Sequence, residues 1–258
     1  MTAKAGSIQV IERMAKLLNA IGDNDGPASL KVLSAETGLH PSTAFRILAS
    51  LMEQGYVERD ESGHYLLGAR LLQLGARVRA HLDVRKEARP IMDWLRNEIG
   101  ETVNLTQREG DEIIYVERAT SNRIMRVEQV IGSHAPLHVT AVGKLMLAEN
   151  GEQACRAYAE RTGLPAYTDN TITDVDALVE TAMAYADAGY ALDNEEAEPG
   201  VGCIGVLVHD SHGSVVAGLS ISAPIERRRD AWIPLVKEAG RRLSARLGYP
   251  GARQAEAG

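Results

Sequence analysis

The sequence predicts an α+β protein with two domains and a linker helix between them. Its 258 residues exceed one small domain and suit two of ordinary size. Three helical patterns and then two short strands fill the first quarter of the chain. In the remainder, strands and helices mix without a regular βαβ rhythm, which favours an antiparallel sheet. We expect the first domain over 1–67, the linker helix over 68–83, the second domain over 84–250 and a flexible tail over 251–258.

Composition excludes several classes of protein. Hydrophobic residues make up 45% and charged residues 24%, as in globular proteins. No apolar run approaches the ~20 residues of a membrane span, and the first eleven residues lack the apolar core of a signal peptide. Cys155 and Cys203 are the only cysteines, which favours a reducing cytoplasm over a disulfide framework.

The net charge of −7 is distributed unevenly. Residues 1–86 carry 11 Lys and Arg against 9 Asp and Glu, whereas the remainder carries 17 against 26. A weakly basic N-terminal part followed by an acidic remainder is compatible with a nucleic-acid-binding domain attached to a separate domain of another kind.

The first three helices are predicted over 7–21, 30–37 and 41–54. A Gly-, Asp- and Pro-containing break precedes the second helix, for which Ser29 is a suitable N-cap. A tight turn at 38–40 then leads to Pro41, which suits the first position of a helix because its missing N–H is not needed there.

The third helix has the properties of a DNA recognition helix. Its apolar face consists of Ala44, Ile47, Leu48 and Leu51. The opposite face offers Ser42, Thr43 and Arg46, which are short hydrogen-bonding groups and one forked donor suited to the major groove. Residues 56–59 and 64–67 read as strands of a hairpin, the wing. The candidate DNA contacts are Ser42, Thr43, Phe45 and Arg46 of the helix and Arg59 and His64 of the wing. A helix pair that only packs, with solvated polar residues, is the alternative for each part alone.

Several segments resemble one family of bacterial regulators. The first is 39–48, continued by 51–57 and 65–68; the second is 136–144; the third is 200–205 with 219–224. Together they are similar to the winged helix and effector domain of the isocitrate-lyase-regulator (IclR) family, in the same order and over almost the whole chain. The resemblance implies a transcription regulator that binds operator DNA as a dimer or tetramer. It also implies a GAF-like effector domain, a twisted antiparallel sheet flanked by helices, that binds a small organic acid, aliphatic or aromatic. We expect control of a catabolic operon, with no cofactor, catalytic residue or metal.

Residues 68–81 are predicted as a connecting helix. Leu71, Leu74, Val78 and Leu82 fall on one side of it. The resemblance favours pairing of this stripe with a second chain, which would set the spacing of two recognition helices. The alternative is an amphipathic helix packed on its own domain.

The second domain is predicted to contain six strands and five helices. The strands are 102–108, 112–119, 124–130, 190–194, 203–209 and 215–222. The helices are 84–99, 141–148, 151–161, 174–188 and 226–247.

An effector pocket is expected where a helix starts beside a strand. Ala141 and Val142 open the helix over 141–148, and a helix N-terminus favours anions. The resemblance places it against Ser220 and Ser222, alternate residues of one strand that face the same way. It also brings Asp193, Val201 and Cys203 into the pocket and makes Ile124 and Val127 an apolar wall. A slip of one residue would exchange Asp193 for Asn194. The small side chains of Ala135 and Ala141 leave room for an aromatic acid.

Three other interpretations stay open. An enzyme could use Cys203 and His138, although Cys203 lies in an apolar strand pattern typical of a buried cysteine. A metal site could use His134 with His138, or His209 with His212, but neither pair has the spacing of a structural zinc site. A second domain that only oligomerises would leave DNA binding unresponsive to small molecules.

Overall fold

The computed structural model describes residues 8–80 and 82–251. The chain divides into two compact units between Leu82 and Asp83, and each unit is described by itself. Three predicted features lie outside the described residues: Ser7 at the start of one predicted helix, His81 at the end of another, and the predicted tail beyond Gly251.

The N-terminal unit contains three helices, a hairpin and a fourth helix. They are α1 (Gln9–Asp23), α2 (Leu30–Thr37), α3 (Pro41–Glu53), β1 (Val57–Arg59), β2 (Tyr65–Leu67) and α4 (Ala69–Ala80). The two strands pair antiparallel, with Val57 opposite Leu67. This is the predicted order of a winged helix-turn-helix.

Local signals set the limits of α2 and α3. The Ser29 hydroxyl accepts a hydrogen bond from the Val32 amide and caps α2. Gly38 ends that helix with φ 68°, a left-handed conformation that glycine adopts without strain. Leu17 and Leu48 join the core of this unit from α1 and α3. Packing of these side chains in the core therefore determines how α3 is oriented and which of its faces stays in solvent.

Helix α4 leaves large apolar side chains in solvent. The side chains of Leu72, Leu74 and Val78 are 77%, 37% and 63% exposed. Two of these residues, Leu74 and Val78, belong to the apolar stripe that is expected to contact a second chain. Leu82, the last residue of that stripe, follows the end of α4.

The C-terminal unit is built on one six-stranded antiparallel sheet, in the order β5-β4-β3-β8-β7-β6. The strands are β3 (Thr102–Glu109), β4 (Glu112–Ala119), β5 (His134–Pro136), β6 (Ala191–Asn194), β7 (Val201–His209) and β8 (Val215–Pro224). Its helices are α5 (Val84–Ile99), α6 (Ala141–Ala148), α7 (Gly151–Thr162), α8 (Val175–Ala188) and α9 (Ile233–Arg246). Helices α5 and α9 pack on one face, and α6 packs on the other with α7 and α8 beside it.

Two glycines let α6 lie directly on the sheet. A Cβ atom added to Gly205 of β7 would lie 2.7 Å from Val142 Cγ1, and one added to Gly218 of β8 would lie 2.7 Å from Val142 Cβ. Any larger residue at either position would push the helix outward. The start of α6 is thereby held against the centre of the sheet.

The predicted strand over 124–130 is wrong. Residues 120–133 form no strand, and β4 pairs instead with the short strand β5, where Ile113 lies opposite Ala135. Side chains hold the intervening segment, because Arg227 donates a hydrogen bond to the Met125 carbonyl and Arg118 donates one to the Gln129 carbonyl. The last helix also begins later than predicted, at Ile233, after a 3₁₀ turn over Asp230–Trp232.

Candidate functional site

The outward face of α3 carries the predicted DNA contacts. Ser42, Phe45 and Arg46 are exposed and Thr43 is half-buried, whereas Ala44 is completely buried. All four candidate side chains therefore project from a helix that is anchored by its opposite side. Short hydrogen-bonding groups and one guanidinium therefore lie on the exposed surface of α3, and these are group types that pair with base edges in the major groove.

The first turn of α3 is organised by a residue that the sequence analysis did not single out. His40 is the N-cap, and its Nδ1 atom lies 2.8 Å from Ser42 Oγ. The same nitrogen accepts a weaker hydrogen bond from the Ser42 amide, at 3.4 Å. His40 thus fixes the rotamer of the first candidate contact. Its position immediately before a helix-starting proline was the available signal.

The wing holds one of its two predicted contacts firmly. Arg59 Nε donates a hydrogen bond to the Gly63 carbonyl at 2.8 Å, and its guanidinium lies 5.4 Å from the centroid of the Tyr65 ring. His64 is half-buried, and its amide donates to Asp60 Oδ1. Arg59 stiffens the hairpin and at the same time keeps its positive charge at the wing.

A groove between α1 and α3 places a further arginine near Arg46. Arg13 lines it together with Thr43, Arg46, Ser50 and Gln54. Sequence reasoning missed Arg13, because the pattern of α1 shows which residues are apolar but not which neighbour its polar face approaches.

The C-terminal unit contains a partly enclosed cavity of about 190 Å³ between the start of α6 and strands β4, β7 and β8. It brings together six of the residues predicted from the sequence: Ala141, Val142, Asp193, Val201, Cys203 and Ser220. Ile113, Tyr115, Gln129, His134 and Ala135 complete much of the wall. Of the neighbours Asp193 and Asn194, the structure places Asp193 in the cavity and leaves Asn194 exposed.

Ser222 lies just behind the cavity wall. Its hydroxyl accepts hydrogen bonds from Asn104 Nδ2 at 3.1 Å and Gln129 Nε2 at 3.3 Å, and it lies 3.2 Å from the sulfur of Cys203. Ser222 therefore orients Gln129 and Cys203, which do line the cavity. Ser222 therefore affects the cavity only indirectly, by positioning these two lining residues.

The apolar wall expected from Ile124 and Val127 is wrong for this chain. The Ile124 side chain is fully exposed, Val127 is half-buried, and neither lines the cavity. The reason is the missing strand: without pairing to β4, this segment does not turn its apolar side chains toward the sheet. Ile113 and Tyr115 of β4 supply apolar surface instead.

Asp193 is a buried carboxyl group in the cavity lining, with 2% of its surface exposed. Its Oδ1 atom accepts a hydrogen bond from the Glu196 amide at 2.8 Å. Burial raises the pKa of Asp193 to about 6, and the Glu196 carboxylate adds to this, whereas the amide hydrogen bond and Lys144 oppose it. Burial also raises the pKa of the Cys203 thiol well above its usual value, so this cysteine stays protonated and unreactive.

A buried ion pair holds the segment that follows Asp193. Lys144 of α6 is completely buried, donates a hydrogen bond to Glu196 Oε1 and lies 5.4 Å from the centroid of the Tyr185 ring. The hydroxyls of Thr168 and Thr171 donate to the carbonyls of Glu195 and Glu196, both at 2.7 Å. The ion pair and these hydrogen bonds therefore join α6, whose first residues line the cavity, to the segment that follows Asp193.

The histidines proposed for a metal or catalytic site have other partners. His138 Nδ1 lies 2.8 Å from the Tyr158 hydroxyl and Nε2 lies 3.1 Å from the Pro165 carbonyl, and burial lowers the pKa of this imidazole. His209 stacks on Tyr249. Among residues 8–80 and 82–251, no group of three or more His, Cys, Asp or Glu side chains is arranged to hold a metal ion.

Comparison with known proteins identifies both units. Residues 10–61 match the IclR helix-turn-helix domain, and residues 76–245 match the C-terminal domain of the bacterial transcriptional regulator IclR. The chain belongs to the IclR family. Such regulators combine a DNA-binding helix-turn-helix with an effector-binding domain, and the curated IclR-family relatives are transcription regulators and not enzymes.

Individual relatives agree with this membership. The regulator KdgR of Escherichia coli K12 is 33% identical over 248 residues, covering 94% of each chain. Among solved structures, the Agrobacterium tumefaciens repressor BlcR has a TM-score of 0.80 at 24% identity and covers 95% of this chain and 99% of its own. An IclR homologue from Microbacterium hydrocarbonoxydans, solved with 4-hydroxybenzoate, has a TM-score of 0.60 at 24% identity, covering 92% and 98%. Both structures show the fold of this IclR-family protein.

In the part of this regulator that the structure describes, no helix is long and apolar enough to cross a membrane.

Proposed function

We propose that this IclR-family protein is a ligand-responsive regulator that binds operator DNA as a dimer or tetramer and senses a small organic acid, aliphatic or aromatic. In this proposal Ser42, Thr43, Phe45 and Arg46 contact the operator, with Arg59 and His64 near phosphate or the minor groove. The exposed face of α3 supports this role. Two-fold symmetry of the protein would require a palindromic operator, which controls a catabolic operon.

The single observation that carries the sensing role is the cavity beside α6. Its lining combines apolar and polar surface in similar proportion, with polar groups converging from β6, β7 and β8 opposite apolar side chains such as Ile113 and Val142. Its volume of about 190 Å³ is larger than the ~150 Å³ that accommodates benzene in an engineered protein cavity, so one aromatic ring fits.

In this proposal the donors for a carboxylate come from the start of α6 and from β8. The amides of Ala141 and Val142 begin α6, so neither has a carbonyl four residues back within the helix. Ser220 adds a hydroxyl from β8. A helix start with a nearby hydroxyl suits a carboxylate, and the apolar side at Ile113 and Ala135 suits a hydrocarbon body.

In the proposed mechanism the effector changes how two subunits pack, and α4 transmits the change to the winged helices. The first compact unit ends at Leu82, just after α4, and the proposed linker over 68–83 would join the proposed domains 1–67 and 84–250 at this point. The exposed Leu74 and Val78 support pairing of α4 with a second chain. The coupling requires the effector to bind the two arrangements with different affinity.

A thermal-shift screen tests the sensing role. The full-length protein is heated with a panel of aliphatic and aromatic carboxylic acids, including 4-hydroxybenzoate. An acid at 100 times its Kd should add about 2.7 kcal/mol to the free energy of unfolding. Loss of the shift in the Ser220→Ala/Ser222→Ala variant would locate the binding site. A flat response would remove the acid-sensing role and leave uncharged ligands or a domain that only oligomerises.

A further inference from the structure

The effector cavity has an unusual charge balance for an acid-binding site. Among its described lining residues, Asp193 and Glu198 carry carboxyl groups, and none is Lys or Arg. His134 is the only imidazole in the lining, and its Nε2 atom lies 2.9 Å from Glu109 Oε2 outside the cavity. An incoming carboxylate would therefore find a buried acid and no matching cation.

Two carboxylates in one buried site do not both stay ionised. Burial weakens the hydration of each charge, and their mutual repulsion raises the cost further, so one of them takes up a proton. A shared proton also converts the repulsion into a hydrogen bond with one charged partner, which is among the stronger hydrogen bonds in proteins.

We propose that this cavity binds its acid effector together with one proton, which is held between the effector carboxyl group and Asp193. The inference rests on the proposed acid-sensing function and specifies how that site works. The proton comes from solvent, and no covalent bond forms or breaks. At neutral pH the anion and the ionised Asp193 together take up one proton.

The geometry of Asp193 suits this role. Its Oδ1 atom accepts a hydrogen bond from the Glu196 amide, and the carboxyl group also interacts with the Cys203 thiol, so the proton would be carried by Oδ2. The side chain is almost completely buried at the cavity wall, where it is shielded from bulk water. The raised pKa of about 6 means that only a small free-energy cost accompanies protonation at neutral pH.

The other ionisable groups around Asp193 do not replace it. Glu196 is paired with Lys144, and Arg228 donates to the Asp193 carbonyl and to Asn194. Burial raises the pKa of both Tyr115 and Cys203, so these two groups are neutral and do not titrate between pH 6 and 8. Glu198 is exposed. His134 is the imidazole of the cavity lining and is therefore the control.

The experiment measures effector affinity and proton uptake together. Isothermal calorimetry is run on the full-length protein with acetate, lactate, benzoate and 4-hydroxybenzoate, from pH 5.5 to 8, in two buffers of different ionisation enthalpy. For an acid that binds, we expect uptake of close to one proton at pH 7.5. Affinity should fall about fifty-fold between pH 6 and pH 8, because the protonated fraction of a group with a pKa near 6 falls by that factor.

Two variants assign the proton. Asp193→Asn, which keeps the shape of a protonated carboxyl group, should bind the same acid without proton uptake and with nearly constant affinity over this range. His134→Gln should retain the dependence of the wild-type protein. The wild-type proton count tests the proposal even if the Asp193 variant does not fold.

The contrary outcomes are distinct. An acid that binds wild-type protein with constant affinity and no proton uptake overturns this inference and leaves acid sensing intact. Loss of the pH dependence in His134→Gln also overturns it. Failure of all four acids to bind at pH 5.5, where Asp193 is largely protonated, would contradict both this inference and the acid-sensing function on which it rests.

Discussion

Lys144 Nζ and Glu196 Oε1 form an ion pair in the interior of the C-terminal unit, where 0% and 5% of the two side chains are exposed. The pair joins α6, whose first residues line the cavity, to the segment that follows Asp193. Glu196 Oε2 is buried without a hydrogen-bond partner, so the lysine is the main compensation for this carboxylate.

Removing one partner of this pair should destabilise the protein strongly. We expect Lys144→Met to lower the free energy of unfolding by about 3–5 kcal/mol, because Glu196 would remain buried without its counter-ion. The double variant Lys144→Met/Glu196→Leu should recover most of the loss. Chemical denaturation measures each value. Asp176→Asn, which breaks the exposed pair with Arg156, is the matched control and should change little. A Lys144→Met variant as stable as the wild-type protein would contradict this account.

Arg46 should discriminate operator sequence. If it reads a guanine, Arg46→Ala should weaken binding to an operator selected from random duplexes by about 1–3 kcal/mol. Binding to a non-specific duplex of equal length should weaken much less. Fluorescence anisotropy at fixed salt measures both. Equal losses on the two duplexes would show that Arg46 contacts phosphate rather than a base.

The two serines of β8 should behave differently. Ser220→Ala removes a hydroxyl from the cavity wall, so it should weaken effector binding by about 0.5–1.5 kcal/mol while leaving the melting temperature of the free protein nearly unchanged. Ser222→Ala also removes an acceptor from Asn104 and Gln129 and should lower the melting temperature itself. Differential scanning calorimetry without ligand separates the two effects. Equal melting temperatures of the Ser220→Ala and Ser222→Ala variants would contradict this prediction.

The stability contributed by Asp193 should depend on pH. Its pKa is raised from 3.8 to about 6 in the folded state, so the folded protein holds this proton more tightly than the unfolded chain does. The stability is therefore highest below pH 4, declines as the pH rises from 4 to 6, and stays lowered above that. Relative to wild type, Asp193→Asn should gain roughly 1–3 kcal/mol of stability above pH 6 and lose that advantage toward pH 4. Urea unfolding at pH 4, 5, 6 and 7 checks the slope, and a constant difference would refute it.

Charges on the exposed stripe of α4 should disrupt association between chains. Leu74→Lys/Val78→Lys would place ammonium groups where two apolar stripes are proposed to meet, so we expect dissociation at micromolar concentration and weaker operator binding. Gln73→Lys, on the same helix, is the control and should leave the assembly unchanged. Sedimentation velocity reports the oligomeric state. Unaltered association of the double variant would place the interface elsewhere.

Local signals in the sequence were sufficient for most helices. The Ser29 cap, the left-handed Gly38 and Pro41 act within a few residues of the helix ends they determine, so α2 and the start of α3 were predicted to the residue. A strand was predicted over 124–130 because its apolar residues fit a strand pattern. The prediction was wrong because pairing with a neighbouring strand decides whether such a segment joins a sheet. The later start of α9 follows from the 3₁₀ turn, which periodicity did not reveal.

The sequence by itself determined the order of the elements, the outward face of α3 and, through its motifs, six residues that line one cavity. Only the tertiary structure decided which strands are neighbours. That choice added Tyr115 and Gln129 to the cavity, left Ile124 in solvent and paired Lys144 with Glu196 across 52 residues of chain. The physical reason is that helix limits depend on groups within one turn, whereas strand pairing and the burial of charge depend on contacts between distant segments.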